Sequence, residues 1–192
     1  MHRFLLVLIV FFGWSPVLAE LVNPSFESDL SGWDIQTVEF VSWSSDDANG
    51  SATSGSVEQV SPSPGSGGVG SAISQCIDVE AVEFPVLFRA SAKVLEEGEP
   101  GVNAVVLFFE YRGPDCTNFV GFVQDFPVNL GVEDWQSKSV LYSPDDAKAR
   151  TVGIRLGILK EVGTGEGGRV FYDNVVFGSP TNLFQDRFEM LD

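Results

Sequence analysis

Strand-length segments in which apolar and polar residues alternate dominate the chain after residue 20. The alternation is clearest from Phe88 to Val94 and from Val152 to Ile158, where every second side chain is apolar. A period of two is that of a half-buried strand, because successive side chains point to opposite faces. Further strands are predicted at 35–43, 55–60, 71–79, 102–111, 118–126 and 135–142.

Gly, Ser, Asn and Pro separate these segments, and helix is confined to at most one turn at 147–150. Together with two motifs that bracket them, the segments make about ten strands. We therefore predict an all-β fold, a jelly-roll β-sandwich over residues 20–178. Surface loops are predicted at 44–54, 61–70 and 161–168, and a polar tail at 179–192.

The two bracketing motifs are short and distinctive. The first runs from Leu21 to Glu27 and is followed by Gly32-Trp33, and the second runs from Val170 to Phe177. A period of two in the second motif places Asp173 in an otherwise apolar row. A carboxylate in such a row needs a cation or several hydrogen-bond donors.

We expect that cation to be calcium, which binds carboxylate, carbonyl and water oxygens and requires neither histidine nor cysteine. If the first and last strands are neighbours, Glu27 and Asp173 converge on one site, and Ser25 and Asn49 supply further oxygens. The alternative is that Asp173 accepts backbone N–H bonds while Glu27 is solvated.

Residues 1–19 have the pattern of a signal peptide: a basic start, an apolar stretch and small residues before Glu20. We therefore expect a secreted or periplasmic protein, and the absence of a second long apolar run argues against membrane insertion. The chain carries 11 Lys+Arg against 27 Asp+Glu, a formal net charge of −16. Nucleic acid is not an expected partner, because it is also a polyanion.

Cys76 and Cys116 are the two cysteines of the chain. In an oxidising compartment an even pair most simply forms one disulfide. Free thiols and a zinc site are the alternatives. The lone histidine, His2, lies within the predicted signal peptide, so zinc would have no histidine ligand in the mature chain.

The same lack of histidine excludes His-assisted serine and cysteine nucleophiles, so we expect a protein that is not an enzyme. A glycosidase that uses two carboxylates is the catalytic alternative. Glu110, Asp125 and Asp134 lie near predicted strand ends and would be its candidates, although carboxylates at such positions are usually solvated.

Sugar ligands stack on exposed aromatic rings and bind polar side chains. Trp43 precedes a polar loop and is the best candidate for an exposed ring, whereas no dense aromatic cluster is evident in the sequence. Arg89, Gln124 and Arg155 lie on strand faces and could bind sugar hydroxyls. Ion pairing on a solvated surface is the alternative for the two arginines.

The terminal motifs resemble those of CenC-type carbohydrate-binding modules, which are jelly-roll domains with a galactose-binding-like fold. The residues that carry the resemblance are Asn23, Phe26, Glu27, Gly32, Trp33, Tyr172, Asp173, Asn174 and Val175. The interior segments 47–51, 74–76 and 115–117 are similar to a secreted bacterial branch of such domains with paired cysteines.

The resemblance implies a non-catalytic, lectin-like domain that binds a glycan or polysaccharide. It also implies a Cys76–Cys116 disulfide and a structural calcium held by Glu27 and Asp173. The alternative is a structural or adhesive exported domain that binds a cell-envelope protein through its acidic loops and the tail.

Overall fold

The computed structural model describes residues 21–61, 68–96, 102–128, 134–160 and 168–179, without the side chains of Ser71, Glu96 and residues 124–128. The predicted signal peptide, residues 180–192 of the predicted tail and most of the predicted loops 61–70 and 161–168 lie outside these residues. The ten strands are β1 (Asp34–Ile35), β2 (Val41–Ser44), β3 (Ser56–Val60), β4 (Gly68–Asp78), β5 (Val86–Glu96), β6 (Val102–Tyr111), β7 (Phe119–Val128), β8 (Gln136–Tyr142), β9 (Thr151–Lys160) and β10 (Gly168–Gly178).

The strands form two five-stranded antiparallel sheets. Sheet A has the order β1-β4-β9-β6-β7 and sheet B the order β2-β3-β10-β5-β8. The described residues contain no helix, and hence none that is long and apolar enough to span a bilayer. The predicted all-β jelly-roll sandwich is therefore confirmed.

The core lies between the inner faces of the two sheets, where the alternating apolar residues of β5 and β9 meet as predicted. Aromatic rings fill its centre: Phe108 stacks on Tyr142 with centroids 4.4 Å apart, and Phe88 meets Phe108 edge-on. The buried Tyr172 hydroxyl hydrogen-bonds to two carbonyls of sheet A, at 2.9 Å from Val105 O and 2.6 Å from Gly157 O. Tyr172 thus links the two sheets through the core.

The predicted strand at 35–43 is two strands in the structure. β1 pairs with β4 in sheet A, whereas β2 pairs with β3 in sheet B. A turn closed by the Phe40 N–H donating to Thr37 O, at 3.0 Å, separates them. The chain changes sheets here, so a single extended strand cannot serve both pairings.

The first motif is not a strand, contrary to the prediction. Asn23 and Phe26 have φ values of 49° and 45°, in the left-handed region that an extended strand excludes. The Asn23 side chain stabilises this turn by accepting the Glu27 N–H at 3.0 Å and donating to Asp29 O at 2.9 Å. The two motifs are nevertheless adjacent, because the Val175 N–H donates to Pro24 O at 2.9 Å.

The second motif is strand β10, but a bulge interrupts its alternation between Asp173 and Val176. Asn174 adopts a φ of 51° at this bulge. Before the bulge Val170 and Tyr172 face the core, and after it Val175 and Phe177 do. Asp173 therefore lies on the outer face of sheet B, and the predicted row that it would share with Val175 and Phe177 is wrong.

Candidate functional site

Four aromatic rings lie together on the outer face of sheet A, and we call them the aromatic face: Phe109, Tyr111, Phe119 and Phe122. Phe109 and Tyr111 belong to β6, and they pair in register with Phe122 and Phe119 of β7. Ring centroids are 5.7 Å apart for Phe109–Phe122, 6.0 Å for Phe109–Phe119 and 5.8 Å for Tyr111–Phe119. Phe119 and Phe122 remain 56% and 58% exposed.

Two features of the sequence create this face. The β6 residues that face outward are apolar or aromatic except for Asn103: they are Val105, Leu107, Phe109 and Tyr111. A register shift in the β6–β7 pairing, between Glu110 and Tyr111, then allows Phe119 and Phe122 to share a face despite their three-residue spacing. The expectation that the chain has no dense aromatic cluster is therefore wrong.

Arg155 of β9 lies beside the aromatic face. Its guanidinium carbon is 4.3 Å from the centroid of the Phe109 ring, within the range of a cation–π contact. When the Gln36 amide is oriented with its oxygen toward Arg155, that oxygen accepts from Arg155 Nε at 3.2 Å and from Nη2 at 2.6 Å. Burial lowers the pKa of Arg155 from its ordinary value, while Tyr111 and Asp34 act in the opposite direction.

The backbone register places Gln124 in the same cross-strand row as Arg155, since both pair with Leu107 of β6. The Gln124 side chain lies outside the described part of the structure. The structure thus brings two of the predicted ligand-binding positions to the face of one sheet.

A disulfide lies next to the aromatic face. Cys76 of β4 bonds to Cys116 with an S–S distance of 2.09 Å, which confirms the predicted pair. Gly153 of β9 lies between the two features: a Cβ there would be 3.3 Å from the Tyr111 ring and 3.6 Å from Cys116 Sγ. The disulfide joins β4 to the turn that leads into β7, and so it supports the strand that carries two of the rings.

Trp43 lies elsewhere, on edge strand β2 of sheet B. Its indole N–H donates to Phe26 O at 2.7 Å, and 37% of the residue is exposed. A Cβ at Gly55 would be 2.7 Å from the Trp43 ring, so glycine is needed at that position. Strands β3 and β10 separate Trp43 from Arg89 on β5. The four predicted ligand-binding residues therefore do not form one site.

Arg89 faces a groove on the outer side of sheet B, which we call the polar groove. Its volume is ≈ 520 Å³. The floor is formed by β5 and β8, and the walls by the β10 bulge and by loop residues of both the first motif and the 44–54 loop. Polar and aromatic residues that line it include Ser25, Asn49, Arg89, Ser91, Trp135 and Ser137.

Asp173 lies fully buried beside this groove. Its Oδ2 accepts the Ala48 N–H at 2.9 Å, and its Oδ1 accepts the Asn174 N–H at 2.6 Å. Burial raises the pKa of Asp173 to about 6, and the negative charge of Asp47 adds to the increase, whereas the two amide donors oppose it. Asp173 is therefore a carboxylate that would benefit from a nearby cation.

The other predicted metal ligands are placed less favourably than Asp173 for binding a cation. Glu27 is exposed, whereas Ser25 and Asn49 line the polar groove, and Asn49 donates to Asn174 Oδ1 at 3.1 Å. Within the described residues, no group of three or more His, Cys, Asp or Glu side chains could hold a metal ion. A calcium ion near Asp173 would therefore rely on carbonyl and water oxygens as well as side chains.

Of the carboxylates considered for catalysis, Glu110 is buried and engaged in structural hydrogen bonds. It accepts the Tyr142 hydroxyl at 3.1 Å and the backbone N–H groups of Asp145 and Asp146 at 2.8 and 2.9 Å. The expectation of a solvated carboxylate is wrong for Glu110. Asp134 is exposed, and the Asp125 side chain lies outside the described residues.

No protein-family model matches the chain, and no curated protein matches it significantly. Solved structures do match in fold. Family 16 Carbohydrate Binding Module-2 aligns with a TM-score of 0.52 and 18% identity, over 82% of this chain and 97% of the module. The enzymatically active domain of tailspike protein 4 from bacteriophage CBA120 aligns at 0.55 and 18% identity, over 85% of this chain and 22% of that structure.

A third structure contains a carbohydrate-binding module and a catalytic module of a Clostridium thermocellum endo-1,4-β-D-xylanase, in complex with xylohexaose. It aligns with a TM-score of 0.52 and 16% identity, over 85% of this chain and 29% of that structure. At these identities the comparisons establish the fold. The chain has the β-sandwich fold that these structures contain.

Proposed function

We propose that this protein is a non-catalytic carbohydrate-binding domain whose aromatic face contacts the glycan. The observation that carries the proposal is the cluster of four rings on the outer face of sheet A, two of which are more than half exposed. Large exposed aromatic patches on a soluble domain commonly mark a binding site.

The chemistry of this surface suits a sugar. The C–H groups on the face of a pyranose ring pack against aromatic rings, while its hydroxyls require hydrogen-bond partners at the edge. The rings Phe119 and Phe122 provide the apolar surface, and the Arg155–Gln36 pair provides polar atoms beside Phe109. The fold shared with Family 16 Carbohydrate Binding Module-2 along nearly the whole length of that module supports the same function.

Replacement of the two exposed rings tests the proposal. We expect the double variant Phe119→Ala/Phe122→Ala to lose roughly tenfold or more in affinity for any polysaccharide that the wild type retains in a pull-down assay. Leu141→Ala is the matched control, because Leu141 is 63% exposed but lies on β8 of sheet B. Binding that survives in the double variant, or that is lost equally in Leu141→Ala, would contradict the assignment.

Trp43→Ala separates this site from the one suggested by the sequence. If Trp43 were the main platform, its loss would abolish binding while the Phe119/Phe122 variant would still bind. We expect the opposite result: Trp43→Ala should still bind, and the Phe119→Ala/Phe122→Ala variant should not.

An exported domain that adheres to a cell-envelope protein is the second candidate, because an exposed aromatic surface can also contact protein. Capture of partners from a cell-envelope extract on the immobilised protein, without crosslinking and followed by competition with soluble glycan, distinguishes the two. Release by the glycan supports carbohydrate binding, and protein capture that the glycan does not displace supports adhesion.

We further propose that the protein works outside the cytoplasm, as a secreted or periplasmic domain. The Cys76–Cys116 disulfide supports this location, because such bonds persist in oxidising compartments. The signal-peptide pattern of residues 1–19 supports it independently. Fractionation of cells that express the full chain should recover a processed protein that begins near Glu20.

A structural calcium near Asp173 is part of the same proposal. The fully buried carboxylate, with its raised pKa and the nearby charge of Asp47, provides the electrostatic reason for a cation. We expect chelation to lower the melting temperature of the wild type and calcium to restore it. Asp173→Asn is the control, and its melting temperature should not respond to calcium. A wild-type melting curve that chelation leaves unchanged would count against the ion.

A further inference from the structure

The polar groove on sheet B has the size and lining of a second ligand site. Its ≈ 520 Å³ falls within the range of small-ligand pockets, which are roughly 300–1,000 Å³. Hydroxyl and amide groups from β5, β8 and two loops line it, so hydrogen-bonding groups approach from several directions. The aromatic face is on the other sheet, so a ligand in this groove would be bound independently.

Arg89 gives the groove its charge. Among the described residues that line the groove it is the one that carries a charge, in a chain with 27 acidic and 11 basic residues. Four ion pairs connect described residues, and Arg89 belongs to none of them. Its half-buried side chain makes no hydrogen bond to another described residue either. An arginine in this position favours a planar anion such as a carboxylate.

Two acidic groups near the groove are already engaged. Asp173 pairs in register with Ser91, which lies two residues from Arg89 on β5. Its side chain is buried and accepts the backbone N–H groups of Ala48 and Asn174. Asp46 binds Lys93 instead. Neither carboxylate lines the groove, so neither competes directly with a ligand for Arg89.

An indole ring is fixed at the same groove. Trp135 Nε1 donates to Asp46 Oδ1 at 3.3 Å, and the ring meets Phe171 edge-on with centroids 6.4 Å apart. Lys93 Nζ lies 5.5 Å from the Trp135 centroid. These contacts hold the ring in place, and a preorganised ring costs less conformational entropy when a ligand packs against it.

We propose that the polar groove binds an acidic sugar, with the carboxylate of one uronic acid on Arg89 and the sugar hydroxyls on the surrounding serine and asparagine side chains. Trp135 provides the apolar contact for a sugar ring. One arginine matches one carboxylate, and the net charge of −16 would repel a polyanionic chain. The preferred ligand is thus a short or sparsely charged acidic saccharide.

A matched pair of disaccharides tests this proposal. Cellobiouronic acid carries one carboxylate, and its methyl ester keeps the rings and hydroxyls while removing the charge. In calorimetric titrations at low ionic strength we expect the wild type to bind the acid about tenfold more tightly than the ester. The preference should shrink with added salt, because a solvent-accessible charge pair is screened.

Arg89→Gln should reduce the preference for the acid to less than about twofold, because a neutral amide replaces the guanidinium. Arg150→Gln, which removes the same charge from an exposed ion pair with Glu80 outside both sites, should leave the preference unchanged. Equal binding of acid and ester by the wild type, an unchanged preference in Arg89→Gln, or no binding of the acid at millimolar concentration would each overturn the proposal. None of these results would bear on glycan binding by the aromatic face, which its own variants test. Either proposal can therefore be rejected without the other.

Discussion

The outer faces of the two sheets differ in what covers them. On sheet A the rings of Phe119 and Phe122 lie open to solvent on edge strand β7. On sheet B the first motif and the loop after Trp43 fold over the bulge of β10 and bury Asp173. The same kind of sheet therefore provides an open apolar surface on one side and a walled polar groove on the other.

This contrast shows that strand residues supply the chemistry of each face, whereas loops determine whether the face is open or walled. The loop over sheet B is itself ordered by Asp47, which accepts the N–H groups of Asn49 and Ser51 at 2.7 and 2.8 Å and binds the Ser54 hydroxyl. The turn beside sheet A is instead anchored by the Cys76–Cys116 disulfide. Changes to these two anchors should thus affect different faces.

The largest effect is expected from the disulfide. The double variant Cys76→Ser/Cys116→Ser removes a crosslink between residues 40 apart in the sequence, which should lower the free energy of unfolding by roughly 3–4 kcal/mol. Urea unfolding monitored by circular dichroism measures the change. Wild-type protein with its disulfide reduced should match the variant, and equal midpoints for the oxidised wild type and the variant would show that the crosslink does not stabilise sheet A.

Asp173 provides the next largest effect, on sheet B. Its pKa of about 6 in the folded protein exceeds the ordinary value of 3.8, so the folded state binds the proton more tightly. In chelator, the free energy of unfolding should therefore increase as the pH falls from 7 to 5. Raising the pH back through about 6 should reverse this gain. The full difference for a shift from 3.8 to about 6 is roughly 3 kcal/mol, of which about 1 kcal/mol falls between pH 7 and pH 5.

The matched variant Asp173→Asn should lack this part of the pH profile. Thermal unfolding at several pH values, in chelator and in calcium, measures both proteins. With calcium bound, the gain on acidification should disappear, because the cation stabilises the charged carboxylate. Parallel profiles for the two proteins in chelator would contradict the assignment to Asp173.

Tyr172→Phe tests the link between the two sheets. It removes a buried hydroxyl that hydrogen-bonds to Val105 O and Gly157 O, and should destabilise the protein by about 1–2 kcal/mol. Tyr111→Phe is the control on the aromatic face, where a change of less than about 0.5 kcal/mol is expected. Equal effects of the two substitutions on denaturant midpoints would refute the inter-sheet role.

The smallest effect on stability is expected for Asp46→Asn, which disrupts a partly exposed ion pair with Lys93 and alters the contact to Trp135. Such pairs contribute about 0–1 kcal/mol. The effect on the groove should be clearer, with greater quenching of tryptophan fluorescence by acrylamide than in the wild type. Unchanged quenching would mean that Asp46 does not hold the indole in place.

The comparison also shows where sequence patterns fail. Residues 88–94 and 152–158 alternate regularly, and both became strands with the predicted inner faces. Asp173 and Phe119 each lie next to a register irregularity, and there a period of two assigns the face wrongly or misses the cluster. A bulge adds one residue to one strand only, so the pattern of a single segment does not reveal it.

The sequence by itself determined the all-β class and the positions of most strands, because side-chain alternation is a local property of the chain. It also predicted the cysteine pair, because an even number of cysteines in an oxidising compartment most simply forms a disulfide. The tertiary structure decided which residues meet. It joined Phe109 and Tyr111 to Phe119 and Phe122 across two strands, and placed Arg89 and Arg155 on different sheets. Strand pairing and bulges set these contacts, and they depend on packing between segments that are distant in the sequence.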